Sequence, residues 1–405
     1  MEIRRVLVTG ISGTSASESL KSLEKLLCRN GDCPIEIHNV GAIMNHIVQE
    51  RGMSLKSSNI LNASKDTLTA LRTAALELVQ RIPTSKIQVF DVHATFLTKS
   101  GLKEGLSFND VKTLHPDLFV TIIDSPGGIH TQLKEHPGKY LHLSVADIVK
   151  WQEFEVYVTN LFSKILGVRH FVVPQRQVNL IKALIFDLEE KPPVYASYPM
   201  THLPVEEQPK IEAFVKRLEQ RFIVFDPSSI DSSLDIKPYF TDADIKAISD
   251  HTIVRDLDWF IGINSDKVIA YLPKFVFSSG MNDELRYGYE AGKETFVIIE
   301  LDGQQELPPL SPFTEYKSRI FWSLDDFEQY LELGHAMQEI YDQCEEQMLE
   351  LLRAKRYSTT KGAFLKECIL ACQYNLPDRR YEKSETEVER IASGIWEKWG
   401  LAMRR

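Results

Sequence analysis

The chain has 405 residues, 43% hydrophobic and 26% charged, with a formal net charge of -10. This is a globular profile too long for one ordinary domain, so two or three are expected. The acidic balance, without a long basic stretch or a glycine–arginine tract, argues against nucleic acid as the main ligand.

Arg4 to Thr9 reads as a first strand, and Gly10-Ile11-Ser12-Gly13-Thr14-Ser15-Ala16-Ser17 turns from it into a helix through Leu27. The octapeptide stands where a P-loop would, but Ser15 replaces the second glycine and Ala16 the lysine. Only Ser17 keeps the metal-binding hydroxyl. Without the lysine, the cation that stabilises a transferring phosphoryl group is missing. The turn can still offer backbone N–H groups to a phosphate. Ile87 to Thr95 reads as a second buried strand ending in polar residues, followed by Thr98 to Leu106 and then His115-Pro116-Asp117-Leu118 to Pro126.

This order, from about Arg4 to Val173, resembles the archaeal-type adenylate kinases, in which a strand ends Asp-x-His-x-Thr and a Pro-Asp-Leu strand follows. Asp91-Val92-His93-Ala94-Thr95 carries the first motif. The segment Thr131-Gln132-Leu133-Lys134-Glu135-His136 has no arginine where those kinases place arginines on phosphate. The resemblance therefore implies a pseudokinase that binds a nucleotide, a modified nucleotide or nothing. Gly10, Gly13, Thr14, Ser15, Ser17 and His93 are its candidate nucleotide-binding residues. The competing account is structural: the glycines serve a tight turn, His93 is a hydrogen-bonded strand-end histidine, and Asp91 caps a turn and holds no magnesium.

Glu189-Glu190-Lys191-Pro192-Pro193 is the best linker, by its charge and prolines. Beyond it, Pro209 to Arg221 reads as a helix and Phe222 to Asp226 as the next strand. The run Val268-Ile269-Ala270-Tyr271-Leu272 reads as a buried strand, and Phe277-Ser278-Ser279-Gly280-Met281-Asn282-Asp283-Glu284 as a small-residue turn opening a helix from Leu285 to Ala291. Strand, glycine turn and helix gather free N–H groups around an anion. A carboxylate there lies near the positive end of the helix dipole, which favours its charged form. Ordinary helix capping by Ser-Ser-Gly is the competing account.

The order Val194-Tyr195-Ala196-Ser197-Tyr198-Pro199, Arg255-Asp256-Leu257-Asp258-Trp259, Ser278-Ser279-Gly280 to Glu284 and Gly292-Lys293 resembles the nucleoside 2-deoxyribosyltransferase superfamily. It is especially similar to the branch of nucleoside 5'-monophosphate N-glycosidases, over about a quarter of the chain. The resemblance implies Glu284 as the carboxylate that attacks or stabilises the anomeric carbon. It implies Asp256 as the acid that holds the sugar and assists proton transfer. Tyr195, Ser197 and Tyr198 match the loop that walls base and sugar, although Ser197 stands where that loop usually has glycine. Ser278 stands where the transferases carry Asp, which favours a phosphate neighbour. With Ser279, Gly280 and Asn282 it completes the substrate-binding candidates. An anion below the ring and a second acid suit cleavage through an oxocarbenium-like transition state. For Asp256 the competing account is a helix-surface carboxylate paired with Arg255 or with lysines nearby. Asp258 and Asp283 read as solvated, and His251 as structural.

Leu324 opens a helical pattern through Leu352, followed by helical stretches Lys361 to Gln373 and Ser384 to Trp399, with a break at Asn375-Leu376-Pro377-Asp378. Five cysteines (Cys28, Cys33, Cys344, Cys368, Cys372) form an odd set without a Cys-x-x-Cys pair, so reduced thiols in a cytoplasm are expected. The N-terminus does not read as a signal peptide, and no apolar run approaches membrane-spanning length.

The expected fold is α/β: two mainly parallel-sheet, Rossmann-like domains over 1–188 and 193–322, with a helical region over 323–405. The sites should lie beyond the carboxyl ends of the strands. The expected function is hydrolysis of the base–sugar bond of a nucleoside 5'-monophosphate, with a nucleotide effector in the N-terminal half. No cofactor, metal or essential magnesium is expected. The alternatives are an NAD glycohydrolase and a nucleotide sensor that signals through its helical tail. The resemblance also implies a homo-oligomer.

Overall fold

The computed structural model describes residues 4–28, 32–51, 63–80, 84, 86–98, 101–135, 143–200, 204–230, 240–274, 276, 278–300, 316–333, 335–354, 359–375 and 385–403. Phe277 of the serine–glycine motif, His136, and Leu376 to Asp378 of the anticipated break lie outside them.

The protein is α/β, with two five-stranded parallel sheets and a C-terminal helical region. The first sheet contains β1 (Arg5–Thr9), β2 (Ile35–Asn39), β3 (Ile87–Asp91), β6 (Leu118–Ile123) and β7 (Arg169–Pro174), in the order β2-β3-β1-β6-β7. β4 (Thr95–Thr98) and β5 (Gly101–Glu104) form a separate antiparallel hairpin. The Ile87 to Thr95 strand of the sequence reading is therefore two strands. β2 has no such apolar run: its alternation Ile-Glu-Ile-His-Asn is too weak to announce a strand. Parallel strands need crossovers, and these run through α1 (Ala16–Leu27), α2 (Val40–Glu50), α3 (Lys65–Gln80), α4 (Phe108–Leu114), α5 (Pro126–Glu135) and α6 (Val145–Leu166), while α7 (Val178–Phe186) follows β7 and leads to the second sheet. Helices on both faces explain why β6, Leu-Phe-Val-Thr-Ile-Ile, is buried at every position.

One core cluster joins Leu7, Phe90 and Phe119 of this sheet to Met44 and Ile47 of α2 and Leu71, Ala75 and Leu76 of α3. Another joins Ile11 to Ile129, Leu133, Ile148 and Trp151 of α5 and α6. α4 and α6 each begin with a capping box, Ser107 with Asp110 and Ser144 with Asp147.

The second sheet has the order β12-β11-β10-β8-β9, from β8 (Pro193–Ser197), β9 (Ile223–Phe225), β10 (Lys267–Leu272), β11 (Glu294–Ile299) and β12 (Arg319–Phe321). Its helices are α8 (Gln208–Glu219), α9 (Asp242–Val254) and α10 (Ser279–Glu290). α9 runs without a break into a π-helical segment, Arg255–Asn264. The end of that segment is pinned: Asn264 Oδ1 accepts from Val172 N at 2.8 Å, and its Nδ2 donates to Val172 O at 2.7 Å. α10 begins six residues before the expected Leu285, because Ser278 caps it and Gly280 lies within its first turn.

The C-terminal helices are α11 (Leu324–Glu332), α12 (His335–Arg353), α13 (Lys361–Asn375) and α14 (Glu385–Met403). The long pattern from Leu324 is thus two helices, because Leu333 leaves helical geometry with ψ of 134°. α12, α13 and α14 pack on one another and bury Cys344, Cys368, Cys372, Met348 and Phe364.

By contacts, the chain has two compact units. One is Met1–Ser197 with Val215–Ile269 and Asp283–Glu294; the other is Tyr198–Phe214 with Ala270–Asn282 and Thr295–Arg405.

The cysteine expectation needs one correction. Cys28 and Cys33 form a disulfide, with their Cα atoms 4.3 Å apart. Cys344, Cys368 and Cys372 are free and buried. Among the described residues no helix is long and apolar enough to cross a membrane.

Candidate active site

Glu284, Tyr195, Ser197, Arg255 and Asp256 all belong to the first compact unit. Tyr195 and Ser197 stand two apart near the carboxyl end of β8, so their side chains leave the strand on the same face. Glu284 lies on the inward face of α10, in line with Met281, Leu285 and Gly288. These two patterns meet at one carboxyl group. The Tyr195 hydroxyl donates to Glu284 Oε1 at 2.9 Å, and Ser197 Oγ donates to Oε2 at 2.5 Å. Both oxygens are thereby oriented by neutral donors.

Asp256 is the second residue of the π-helical segment, where the widened turn re-aims side chains relative to an α-helix. Its neighbour Arg255 is buried and donates from Nε to Asp256 Oδ1 at 2.8 Å and from Nη2 to Oδ2 at 3.1 Å. Arg255 Nη1 donates to Ile230 O at 2.7 Å, which fixes the guanidinium in place. The anticipated Arg255 pairing therefore occurs, but it is buried and bidentate, not a surface contact.

The electrostatics distinguish the two carboxyls. Burial pushes Glu284 up from its usual 4.5 to about 7; the nearby Asp256 charge adds to this, and the Ser197 and Tyr195 hydrogen bonds oppose it. Burial also raises Asp256, but the Arg255 charge and hydrogen bonds pull it back. Both carboxyls are thus raised by burial, and Asp256 has a cation beside it that opposes the rise. The Tyr195 phenol is raised well above its usual range by burial and then by the Glu284 and Asp256 charges, so it remains a donor.

This corrects the dipole argument. Because α10 begins at Ser279, Glu284 is its sixth residue, beyond the first turn in which the dipole acts. Its charged form is disfavoured by burial and is not favoured by the helix end.

The remaining anticipated residues have different surroundings. Ser278 is buried, and its Oγ accepts from Met281 N at 3.3 Å, which is helix capping. Ser279, Gly280 and Asn282 are exposed on the first turns of α10. Tyr198 is buried just past the end of β8. Asp258 accepts from the Tyr287 hydroxyl at 2.7 Å and, like Asp283, is exposed. His251 is buried, stacks edge-on against Trp259 and stands 3.8 Å from Glu153.

The candidates of the N-terminal half gather where β1 and β3 end side by side. A Cβ on Gly10 would stand 2.8 Å from Thr14 Oγ1 and 2.9 Å from Ile122 O, and Gly13 has φ of +94°, so both positions require glycine. Thr14 Oγ1 donates to Ile11 O at 2.9 Å. Ser15, with φ of 50°, donates to Gln132 Oε1 at 3.1 Å. Ser17 Oγ donates to Asp91 Oδ2 at 2.5 Å, and Asn39 Nδ2 donates to the same oxygen at 2.7 Å. His93 Nδ1 is hydrogen-bonded to Gly10 O.

Sequence reasoning missed Glu155, a wholly buried carboxyl in the middle of α6. Its Oε1 accepts from Gly10 N at 3.1 Å and Ala94 N at 2.8 Å; its Oε2 accepts from Thr95 N at 2.7 Å and Thr95 Oγ1 at 2.6 Å. The available signal was an acidic residue on the buried stripe of a long helix, among Val149, Gln152, Val156 and Thr159. It also missed Asn39 and Arg72, because neither belongs to a motif. Among the described residues no group of three or more His, Cys, Asp or Glu side chains could hold a metal ion.

No protein-family model matches this chain, and no curated protein matches it.

Proposed function

We propose that the chain is an N-glycosidase that hydrolyses the base–sugar bond of a nucleoside 5'-monophosphate, with Glu284 as the nucleophile. The observation that carries this is the Glu284 carboxyl, partly buried, raised to about 7 and held at both oxygens by Tyr195 and Ser197. A carboxylate so oriented and sparingly solvated suits attack on an electron-poor sugar carbon. The motif order resembling the nucleoside 5'-monophosphate N-glycosidases supplies the substrate class.

In this mechanism Glu284 bonds to the anomeric carbon, and the base leaves with the electron pair of the broken C–N bond and gains a proton. Water then displaces the carboxylate: its hydroxyl goes to the anomeric carbon and its remaining proton balances the one taken by the base. The products are free base and the sugar 5-phosphate. Asp256, whose charge is held by Arg255, accepts hydrogen bonds from the sugar hydroxyls and stabilises positive charge on the ring.

The test is chromatographic detection of free base from nucleoside monophosphates, deoxynucleotides and NAD, with wild type and Glu284→Gln. Base released by wild type and lost in the variant supports the proposal, and the panel names the substrate. Release from NAD alone would replace the mononucleotide reading with a glycohydrolase. No release from any nucleotide would overturn the enzymatic reading in favour of a sensor.

A further inference from the structure

We propose that the cavity at the carboxyl ends of β1 and β3 binds a phosphate-free, amino-bearing heterocycle of nucleobase or nucleoside size. The cavity has a volume of about 350 Å³, within the range of roughly 300–1,000 Å³ usual for small-molecule sites. Its walls are largely apolar: Ile11, Val40, Met44, Leu68, Val92 and Phe96. Such walls suit a planar ring.

Of the donors in the walls, Ser15 is engaged with Gln132, Ser17 and Asn39 with Asp91, and Arg72 with Asp110. Asp91 is 8% exposed and lines the cavity. Its Oδ2 takes the Ser17 and Asn39 hydrogen bonds, whereas its Oδ1 has no hydrogen-bond partner among the described residues. His93 faces the same cavity. Its Nδ1 must donate to Gly10 O, because a carbonyl only accepts. A carboxylate oxygen left over in a mostly apolar cavity calls for a ligand that donates.

The same walls disfavour phosphate. Ala16 occupies the position of a P-loop lysine. Arg72 lines the cavity, but it is committed to Asp110 Oδ2 at 2.6 Å, Gly105 O at 2.9 Å and Glu104 Oε1 at 3.4 Å. Glu18 and Glu104 add two further carboxylates to the lining. The amide of Gly10, which a bound phosphate could use, already donates to Glu155. A phosphate dianion would enter a cavity whose acidic groups outnumber its basic ones. An amino-bearing ring would meet Asp91 as a hydrogen-bond acceptor.

The experiment is isothermal titration of the full-length chain with adenine, adenosine, cytidine, inosine, uridine and AMP, in wild type, Glu284→Gln, Asp91→Asn and Ala16→Lys. The expected result is binding of the amino-bearing ligands, retained in Glu284→Gln and weakened at least tenfold in Asp91→Asn. Inosine and uridine should bind more weakly than adenosine and cytidine, and AMP at least tenfold more weakly than adenosine. Adenine and adenosine in parallel distinguish base from nucleoside. Ala16→Lys restores a cation without touching Asp91, and should narrow the gap between adenosine and AMP. The proposal is overturned if no amino-bearing ligand binds at millimolar concentration. AMP binding as tight as that of adenosine, surviving Glu284→Gln but lost in Asp91→Asn, would also overturn it. So would an unchanged gap in folded Ala16→Lys. None of these outcomes depends on base release at Glu284.

Discussion

Glu155 is a fully buried carboxyl and Glu284 a partly buried one, and in both burial is the leading cause that raises the pKa. Their partners differ. Glu155 collects three backbone N–H groups and one hydroxyl from the ends of β1 and the turn into β4. Those amides are fixed by the backbone. Glu284 is held by two side-chain hydroxyls, which can rotate and can accept as well as donate. The first carboxyl is a structural keystone for a loop. The second is restrained but replaceable in its local hydrogen bonding, and it titrates to about 7.

Four substitutions and titrations can break that contrast. The largest expected effect is on activity: Glu284→Gln should lower base release at least about a thousandfold while the protein stays folded. Retention of near-wild-type release would assign the chemistry elsewhere.

Next is Glu155→Leu, which leaves the amides of Gly10, Ala94 and Thr95 buried without an acceptor. With each orphaned donor costing about 1–3 kcal/mol, a total loss of roughly 3 kcal/mol or more is expected in chemical denaturation. A loss under about 1 kcal/mol would remove the structural role from Glu155.

Glu284→Gln should have the opposite sign in stability. The folded pKa of Glu284 lies above its unfolded value, so its protonated form contributes stability below about 4.5 that is lost as pH rises through about 7. Glutamine never ionises and keeps that stability. The variant should match wild type near pH 4 and exceed it by up to about 3 kcal/mol at pH 8. Parallel stability curves across this range would mean that Glu284 is not raised.

The smallest effect concerns the hydroxyl clamp. If ionised Glu284 is the nucleophile, kcat/KM should rise with pH through an apparent pKa near 7. Ser197→Ala removes a hydrogen bond that lowers this pKa, so the acid limb should move to higher pH. At neutral pH, kcat/KM should fall roughly tenfold to a hundredfold, the usual worth of a hydrogen bond to a charged group. A fall in rate with no movement of the acid limb would separate Ser197 from the ionisation of Glu284.

The alternation of apolar strands with helical stretches made the α/β class legible, because burial on both faces forces near-continuous apolar runs such as those of β6 and β10. Weak patterns failed for the same reason: β2 alternates charged and apolar residues and lacks such a run. Glu284, Asp256, Tyr195 and Ser197 could be singled out from residue order, and the two-residue spacing in β8 already put Tyr195 and Ser197 on one face. What each contacts was not legible. Tyr195 and Ser197 were expected as walls for base and sugar, yet their hydroxyls clamp Glu284. Ser278 was expected at phosphate, and the contact described for it is a helix cap.

Local pattern and residue identity were enough for the parallel-sheet class, the helical C-terminal region and the absence of a lysine at position 16. It took the packed chain to raise Glu284 to about 7, to place Asp256 on a π-helical turn in the grip of Arg255, and to give the Gly10 amide to Glu155. Desolvation and hydrogen bonding depend on which groups approach within a few ångströms across tens of residues of chain, and local sequence carries no record of that approach.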